Sequence, residues 1–208
     1  MCIRDSCYTD EEFVQAGAVI KEDMSAASII FGVKEVPIDD LMPEKTYFFF
    51  SHTIKAQDYN MPLLDALMEK RIRMVDFECI RNQAGRLVAF GRYAGIAGTF
   101  DFLRGCGEYF LQRGYQTPLI FLGSAYMYED WEDMQHALSR VNKGIVKGAI
   151  KTMGPLVFGV TGTGRVASGA LEVLTKLPHE FVDPASLKQL VTSEQTACDR
   201  IYICHLKT

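Results

Sequence analysis

The chain has 208 residues, a formal net charge of −4 and 48% hydrophobic residues, which suits one globular domain or one domain with a piece of another. Nothing is strongly basic, which argues against a nucleic-acid partner, and no apolar run approaches the roughly 18–20 residues of a membrane span. The six cysteines, Cys2, Cys7, Cys79, Cys106, Cys198 and Cys204, include no Cys-x-x-Cys pair, so neither a zinc site nor a disulfide framework is expected and a reducing compartment fits best.

Residues 1–6 lead into no apolar h-region and are not a signal peptide. They do not fit the pattern of the rest of the chain and read as a translated cloning or sequencing remnant. The true N-terminus, and any targeting signal with it, is then expected to lie outside this sequence. Beyond them, short apolar runs alternate with helical patterns, the mark of βαβ organisation, with no internal repeat. Residues 28–33 (SIIFGV) predict a buried strand, and residues 46–51 (TYFFFS) the next. Residues 58–70 carry Leu63, Leu64, Leu67 and Met68 at helical spacing. Residues 73–77 (RMVDF) predict a third strand. Residues 86–90 (RLVAF) come after a turn at 82–85 and predict a hairpin partner.

Residues 100–111 predict a helix despite Gly105 and Gly107. Residues 129–150 predict a longer one, with Trp131, Met134, Leu138 and Val141 on one stripe. Gly148 and then Gly154-Pro155 punctuate the chain, which sets the expected domains at 7–150 and 151–208. The resulting fold class is α/β with two Rossmann-like lobes, the N-terminal one nearly complete and the dinucleotide-binding one truncated.

Residues 156–161 (LVFGVT) predict the first strand of the second lobe. They run into Gly162-Thr163-Gly164-Arg165-Val166-Ala167, which matches G-x-G-x-x-A. In that fingerprint Gly162 permits the tight turn, Gly164 leaves the backbone open to a pyrophosphate, and Ala167 allows close packing, an office Gly169 shares. The next helix, 166–177, offers free N–H donors to the anion. A second strand, 180–182, ends at Asp183, about 20 residues past Gly162, where the motif wants a ribose-binding acid. An Asp before Pro184 is equally a turn or cap residue. Asp183 favours a free 2′-hydroxyl, whereas Arg165 is placed to meet a 2′-phosphate.

Lys34 and His52 each emerge from an apolar strand at its C-terminal end, where parallel sheets place ligands. Desolvation there would ease proton loss from a lysine, and a histidine works as acid or base near neutral pH. The plainer alternative makes Lys34 a rim ion-pair partner of Glu35 or Glu78, and His52 a hydrogen-bonded strand end. His136, His179 and His205 sit in helical or surface contexts and read as structural, and no metal-ligand set is expected.

Phe31-Gly32-Val33-Lys34-Glu35-Val36-Pro37 resembles the G-x-K-E segment of the alanine dehydrogenase, transhydrogenase and saccharopine dehydrogenase superfamily. Phe50-Ser51-His52-Thr53-Ile54-Lys55-Ala56-Gln57 resembles the F-x-H-x-x-K-x-Q segment of the lysine-forming saccharopine dehydrogenases. Asp76-Phe77-Glu78, the run Gly85 to Gly91 and the run Tyr93 to Gly98 continue the match in order. Gly154 through Gly164 is similar to the reductase half of the bifunctional aminoadipic semialdehyde synthases. The resemblance spans roughly residues 14–208.

That resemblance implies an oxidoreductase of lysine catabolism, a lysine-ketoglutarate reductase. It condenses L-lysine with 2-oxoglutarate to saccharopine, using NADPH rather than NADH. It implies Lys34 as general base and His52 as the acid–base group on the carbonyl oxygen. Gln57 and Arg86 would hold substrate polar groups, with Phe90 near the pocket, and Glu35 and Glu78 would tune the titration of the pair. Gly162, Gly164, Arg165, Ala167 and Asp183 would bind cofactor. The small-molecule substrates are the implied partners, with neither nucleic acid nor membrane. The implied location is intracellular, mitochondrial or cytoplasmic according to source, and the oligomeric state is left open. Family members begin with an earlier strand and helix carrying a substrate-binding arginine, and they continue through the cofactor domain. The chain by itself is therefore expected to be inactive. Two alternatives compete: an alanine dehydrogenase or transhydrogenase domain, against which residues 52–57 and 94–98 argue, and a truncated, non-catalytic binding module.

Overall fold

A computed structural model describes residues 8–83 and 85–207. The remnant reading of residues 1–6, with Cys2 and Cys7, lies outside the described residues. Contacts divide the chain into two compact units, one ending at Ala89 and one beginning at Phe90.

The first unit opens with helix α1 (Asp10–Gln15), closed by a capping box. The Glu12 N–H donates to Thr9 Oγ1 at 3.3 Å, and the Thr9 N–H donates to the Glu12 carboxylate at 2.6 Å. Then come β1 (Ile29–Lys34), β2 (Thr46–Phe50), α2 (Met61–Glu69) and β3 (Arg73–Asp76). The three strands pair in parallel in the order β1-β2-β3. Because β2 is central, its alternation decides both faces. Tyr47 and Phe49 are buried with Leu41, Leu63, Ala66 and Leu67. Phe48 points the other way and stacks on Phe31 with ring centroids 4.6 Å apart.

The strand expected over 86–90 is shorter than that. Two-residue strands, β4 (Arg81–Asn82) and β5 (Gly85–Arg86), form the hairpin. A Leu87 N–H bond to the Ile80 carbonyl, 2.9 Å, extends it by one rung. The chain leaves the ladder there because the next helix starts at Gly91.

The second unit contains α3 (Gly91–Gln112), α4 (Trp131–Val146), β6 (Leu156–Thr161), α5 (Arg165–Leu174), β7 (His179–Phe181), α6 (Leu187–Thr192) and β8 (Ile201–Leu206). Its core gathers Phe100 and Leu103 of α3, Leu138, Val141 and Ile145 of α4, and Phe158, Val173, Ile201 and Ile203 of the sheet and α5. This cluster explains why the compact units divide at Ala89/Phe90 rather than near residue 150. The positive φ of Gly148 (80°) and Gly154 (84°) makes both real turn positions. They bend the chain within one packed body instead of separating two.

The parallel sheet runs β6-β8-β7. The two strands anticipated here, β6 and β7, are therefore parallel but not neighbours. The unanticipated β8 lies between them and is buried from Ile201 to Cys204. α3 begins at Gly91, not near residue 100, and its first half lies on α5. A Cβ at Gly95 would overlap the Val166 carbonyl, and one at Gly169 would overlap the Arg92 carbonyl. The close packing expected of Gly169 is thus against α3. The Arg92 guanidinium grips the Glu172 carboxylate with two bonds of 2.8 and 2.6 Å across the same helix pair.

Candidate active site

Lys34 ends β1, and His52 lies two residues beyond β2. Parallel pairing brings Lys34 level with Phe50, so both polar groups leave the sheet at the same rim. Lys34 Nζ lies 3.4 Å from His52 Nε2. Lys34 is exposed rather than desolvated, so the burial anticipated for it is replaced by a direct contact with the imidazole. On the far side of the ring, His52 Nδ1 lies 3.3 Å from Glu78 Oε2. Lys55 Nζ approaches the same nitrogen at 3.2 Å and the Glu78 carboxylate at 3.7 Å.

One proton arrangement satisfies the contacts of the ring with Lys34 and Glu78. A carboxylate can only accept, so Nδ1 carries the hydrogen and donates to Glu78. Nε2 is then free to accept from the Lys34 ammonium, and Lys55 takes Glu78 as its ionic partner. Glu78 is buried and is also gripped by Arg86 Nη1 at 2.9 Å. Three cationic or protonated groups therefore converge on one buried carboxylate, which supports its charge.

The other expected residues divide. Glu35 is exposed and its side chain makes no hydrogen bond or ion pair among the described residues, so Glu78, not Glu35, is the carboxylate at the pair. Arg86 reaches Glu78, and its Nε is buried without a partner among the described residues. Gln57 is exposed and accepts from the Tyr59 hydroxyl at 2.9 Å. Phe90 precedes α3 and opens the second unit. Lys55 stands in the segment that resembles the lysine-forming enzymes, but no role was expected of it. Its i+3 spacing from His52 in a short helical turn was the signal.

In the second unit, Gly162 has φ of 86°, the left-handed turn that the fingerprint needs. Gly164 is the N-cap of α5 and makes no side-chain cap bond. No side chain therefore caps the first N–H groups of α5, and a Cβ at Gly164 would meet nothing within 4 Å. Arg165 opens the helix and Ala167 is buried beneath it. These residues line a cleft of about 510 Å³ together with Thr99, Phe102 and Val157. The residues fit a pyrophosphate: the helix start has no side-chain cap, so its N–H donors and dipole are available to an anion.

Asp183 is placed differently from the expectation. Its carboxylate accepts the Ala185 N–H at 2.9 Å and caps a 3-10 turn, Pro184–Ser186. β8 separates its strand from β6. The strand end beside the cradle is instead that of β8, His205 and Leu206, with Lys207 next in the chain. His205 Nε2 donates to the Gly162 carbonyl at 2.7 Å, and the Leu206 carbonyl accepts the Gly162 N–H at 2.9 Å. His205 read as structural in the sequence; strand order gives it this address.

No group of three or more metal-ligating side chains occurs among the described residues. No described helix is long and apolar enough to cross a membrane.

Residues 4–97 match the family "Alanine dehydrogenase/PNT, N-terminal domain". The chain is 44% identical over 183 residues to the mitochondrial alpha-aminoadipic semialdehyde synthase of Bos taurus, covering 87% of this chain and 20% of that protein. It is 42% identical over 190 residues to the Arabidopsis thaliana alpha-aminoadipic semialdehyde synthase, covering 90% and 18%. A protein of Emericella nidulans named saccharopine dehydrogenase (NAD(+), L-lysine-forming) is 34% identical over 98 residues, 44% of this chain and 26% of that one. The chain thus spans about a fifth of the length of the semialdehyde synthases it matches. A solved L-alanine dehydrogenase shares the fold with a TM-score of 0.53 at 17% identity, over 95% of this chain and 48% of that one. The chain is accordingly a Rossmann-like α/β protein, similar over most of its length to one part of alpha-aminoadipic semialdehyde synthase, with an alanine dehydrogenase/PNT N-terminal domain match over residues 4–97.

Proposed function

We propose that this chain carries the Lys34–His52 acid–base pair and the phosphate cradle of an NADPH-linked lysine-ketoglutarate reductase. The observation that carries the reading is the Lys34 Nζ to His52 Nε2 contact of 3.4 Å, backed by buried Glu78. The reaction joins the ε-amine of L-lysine to the keto carbon of 2-oxoglutarate, expels water, and reduces the resulting C=N bond to the secondary amine of saccharopine. When bound, the cofactor supplies the hydride for that reduction.

The chain's own residues handle protons. Once the proton shared across the 3.4 Å contact lies on His52 Nε2, Lys34 accepts a proton from the substrate ammonium, so that the substrate nitrogen can attack. His52 gives its Nε2 proton to the carbonyl oxygen as it becomes a hydroxyl; Lys34 then passes the proton it took back to His52 and takes one from the attacking nitrogen, and His52 gives the returned proton to the hydroxyl, which leaves as water. Glu78 fixes the imidazole orientation and offsets the positive charge that passes through it. Arg86, with a buried Nε lacking a partner among the described residues, and Gln57, exposed beside the turn, are the groups for substrate polar atoms. The uncapped start of α5 receives the cofactor pyrophosphate, with Gly162 and Gly164 keeping the approach open.

Two features support NADPH over NADH. Asp183 is removed from the cradle by one strand. The neighbouring strand end carries no carboxylate, and Lys207 follows it in the chain, so nothing there repels a 2′-phosphate. Free cysteines and a relative named as mitochondrial support an intracellular site, mitochondrial or cytoplasmic. The test is NADPH oxidation by the protein that contains this chain, followed at its nicotinamide absorbance. The expected result is turnover that requires both L-lysine and 2-oxoglutarate. Turnover of pyruvate and ammonia instead would favour the alanine dehydrogenase-type reading, and loss of the lysine requirement would overturn the proposal.

A further inference from the structure

His52 has a backbone φ of 57°, left-handed for a non-glycine residue, and so needs to be held. Ser51, just before it, is fully buried. The Ser51 hydroxyl meets the Asp76 carboxylate in a short contact through Oδ2. It also meets Thr53 Oγ1 at 2.8 Å and the Thr53 N–H at 3.2 Å. A serine has one proton to give, and a carboxylate can only accept it. Ser51 therefore donates to Asp76 and accepts both Thr53 donors. The Ser51 carbonyl accepts from Asn60 Nδ2 at 2.6 Å, and Asn60 is itself buried. The second oxygen of Asp76, Oδ1, accepts the Glu78 N–H at 2.7 Å.

We propose that Asp76 and Ser51 are positioning residues for His52: one carboxylate ties the residue before His52 to the backbone of Glu78, and so sets the imidazole against its carboxylate partner. The clamp joins the ends of two neighbouring strands. Loss of either side lets the turn at His52 relax towards ordinary backbone angles, carrying Nδ1 away from Glu78. The ring then loses the bond that fixes its tautomer. The relevance of the clamp to turnover rests on the acid–base reading of His52, but its existence does not.

The experiment is nitrogen-15 NMR of the histidine side chains in the 208-residue chain, with His52 assigned by its loss in His52→Gln. In the parent chain, His52 should show an Nδ1–H tautomer with an unprotonated Nε2. Ser51→Ala and Asp76→Asn should convert it to a mixture of tautomers or to the Nε2–H form, while His136, His179 and His205 keep their signals. Thr53→Val, a milder change that keeps Asp76 and Ser51, should shift His52 in the same direction by less, and it carries the test if the other variants do not fold. Unchanged His52 signals in a folded Ser51→Ala, Asp76→Asn or Thr53→Val chain overturn the clamp. If His52 switches tautomer in the whole enzyme while kcat stays unaltered, the clamp stands and the catalytic reading of His52 falls.

Discussion

Lys34 and His52 are 18 residues apart, one at the end of a strand and one just past the end of its neighbour, yet their side-chain nitrogens meet at 3.4 Å. The relationship arises from parallel pairing, which sets Lys34 opposite Phe50, and from the left-handed turn that brings the imidazole back over the strand end.

Lys34→Met and His52→Gln should each lower kcat of the whole enzyme by about 100- to 10,000-fold, the usual contribution of a general acid or base. Each should also remove one limb of the pH–rate profile, because each removes one titrating group. Both side chains lie at the rim rather than in the core, so thermal unfolding midpoints should move little. Steady-state kinetics and a melting curve on the same preparations check this. Near-normal turnover in both variants would leave the pair a structural role only.

Gly164→Val should fold, since Gly164 has φ of −78° and open space around a Cβ. It should nevertheless weaken NADPH binding by tenfold or more, about 1.4 kcal/mol, because the added side chain stands where the pyrophosphate approaches. Quenching or enhancement of cofactor fluorescence reads the affinity directly. An unaltered dissociation constant in a folded variant would remove the loop from consideration as the cradle.

Asp183→Ala should leave cofactor affinity within about twofold, while removal of the cap bond to Ala185 costs on the order of 1 kcal/mol of stability. Lys207→Glu should do the opposite, lowering the preference for NADPH over NADH by about tenfold through one reversed charge beside a phosphate. Parallel titrations with the two cofactors separate these outcomes. A large effect at Asp183 with none at Lys207 would return the ribose site to Asp183.

Burial pushes the Cys106 thiol above its ordinary pKa. A raised pKa leaves less thiolate at any given pH, so Cys106 should alkylate more slowly at pH 8 than exposed Cys79. Its labelling should rise only as the pH climbs beyond the usual thiol range of about 8.5. Peptide mass spectrometry after timed exposure to iodoacetamide resolves the two sites. Equal rates at pH 8 would show that Cys106 is not shielded in solution.

Much of the sheet was legible. The Tyr-Phe-Phe-Phe run and residues 156–161 declare themselves as strands through apolar continuity, and the glycines at 162 and 164 mark the turn that the structure shows. Lys34 and His52 were legible as strand-end polar groups, although their contact was not, because register cannot be read from one strand alone. β8 went unread although residues 201–206 are rich in β-formers. Its insertion between β6 and β7 is a tertiary choice that also moves Asp183 away from the cradle. The start of α3 was hidden for a related reason. Gly91, Gly95 and Gly98 lower helix propensity locally, but Gly95 is required by the approach of α5. Ser51 and Asp76 were visible only as members of matched segments and Asn60 not at all, since their importance lies in which buried atoms they satisfy.

The contact of Gly95 with Val166 and of Gly169 with Arg92 has a consequence for mutational tolerance. Both glycines act on the first turns of α5, whose N–H groups form the proposed cradle. Even an alanine at either place must push α5 away from α3, and with it the row of donors. A saturation screen that scores cofactor retention should therefore return Gly95 and Gly169 as intolerant positions alongside Gly162 and Gly164. Interpreted without the helix crossing in view, that screen would suggest four ligand-contacting glycines where two set only the height of the shelf.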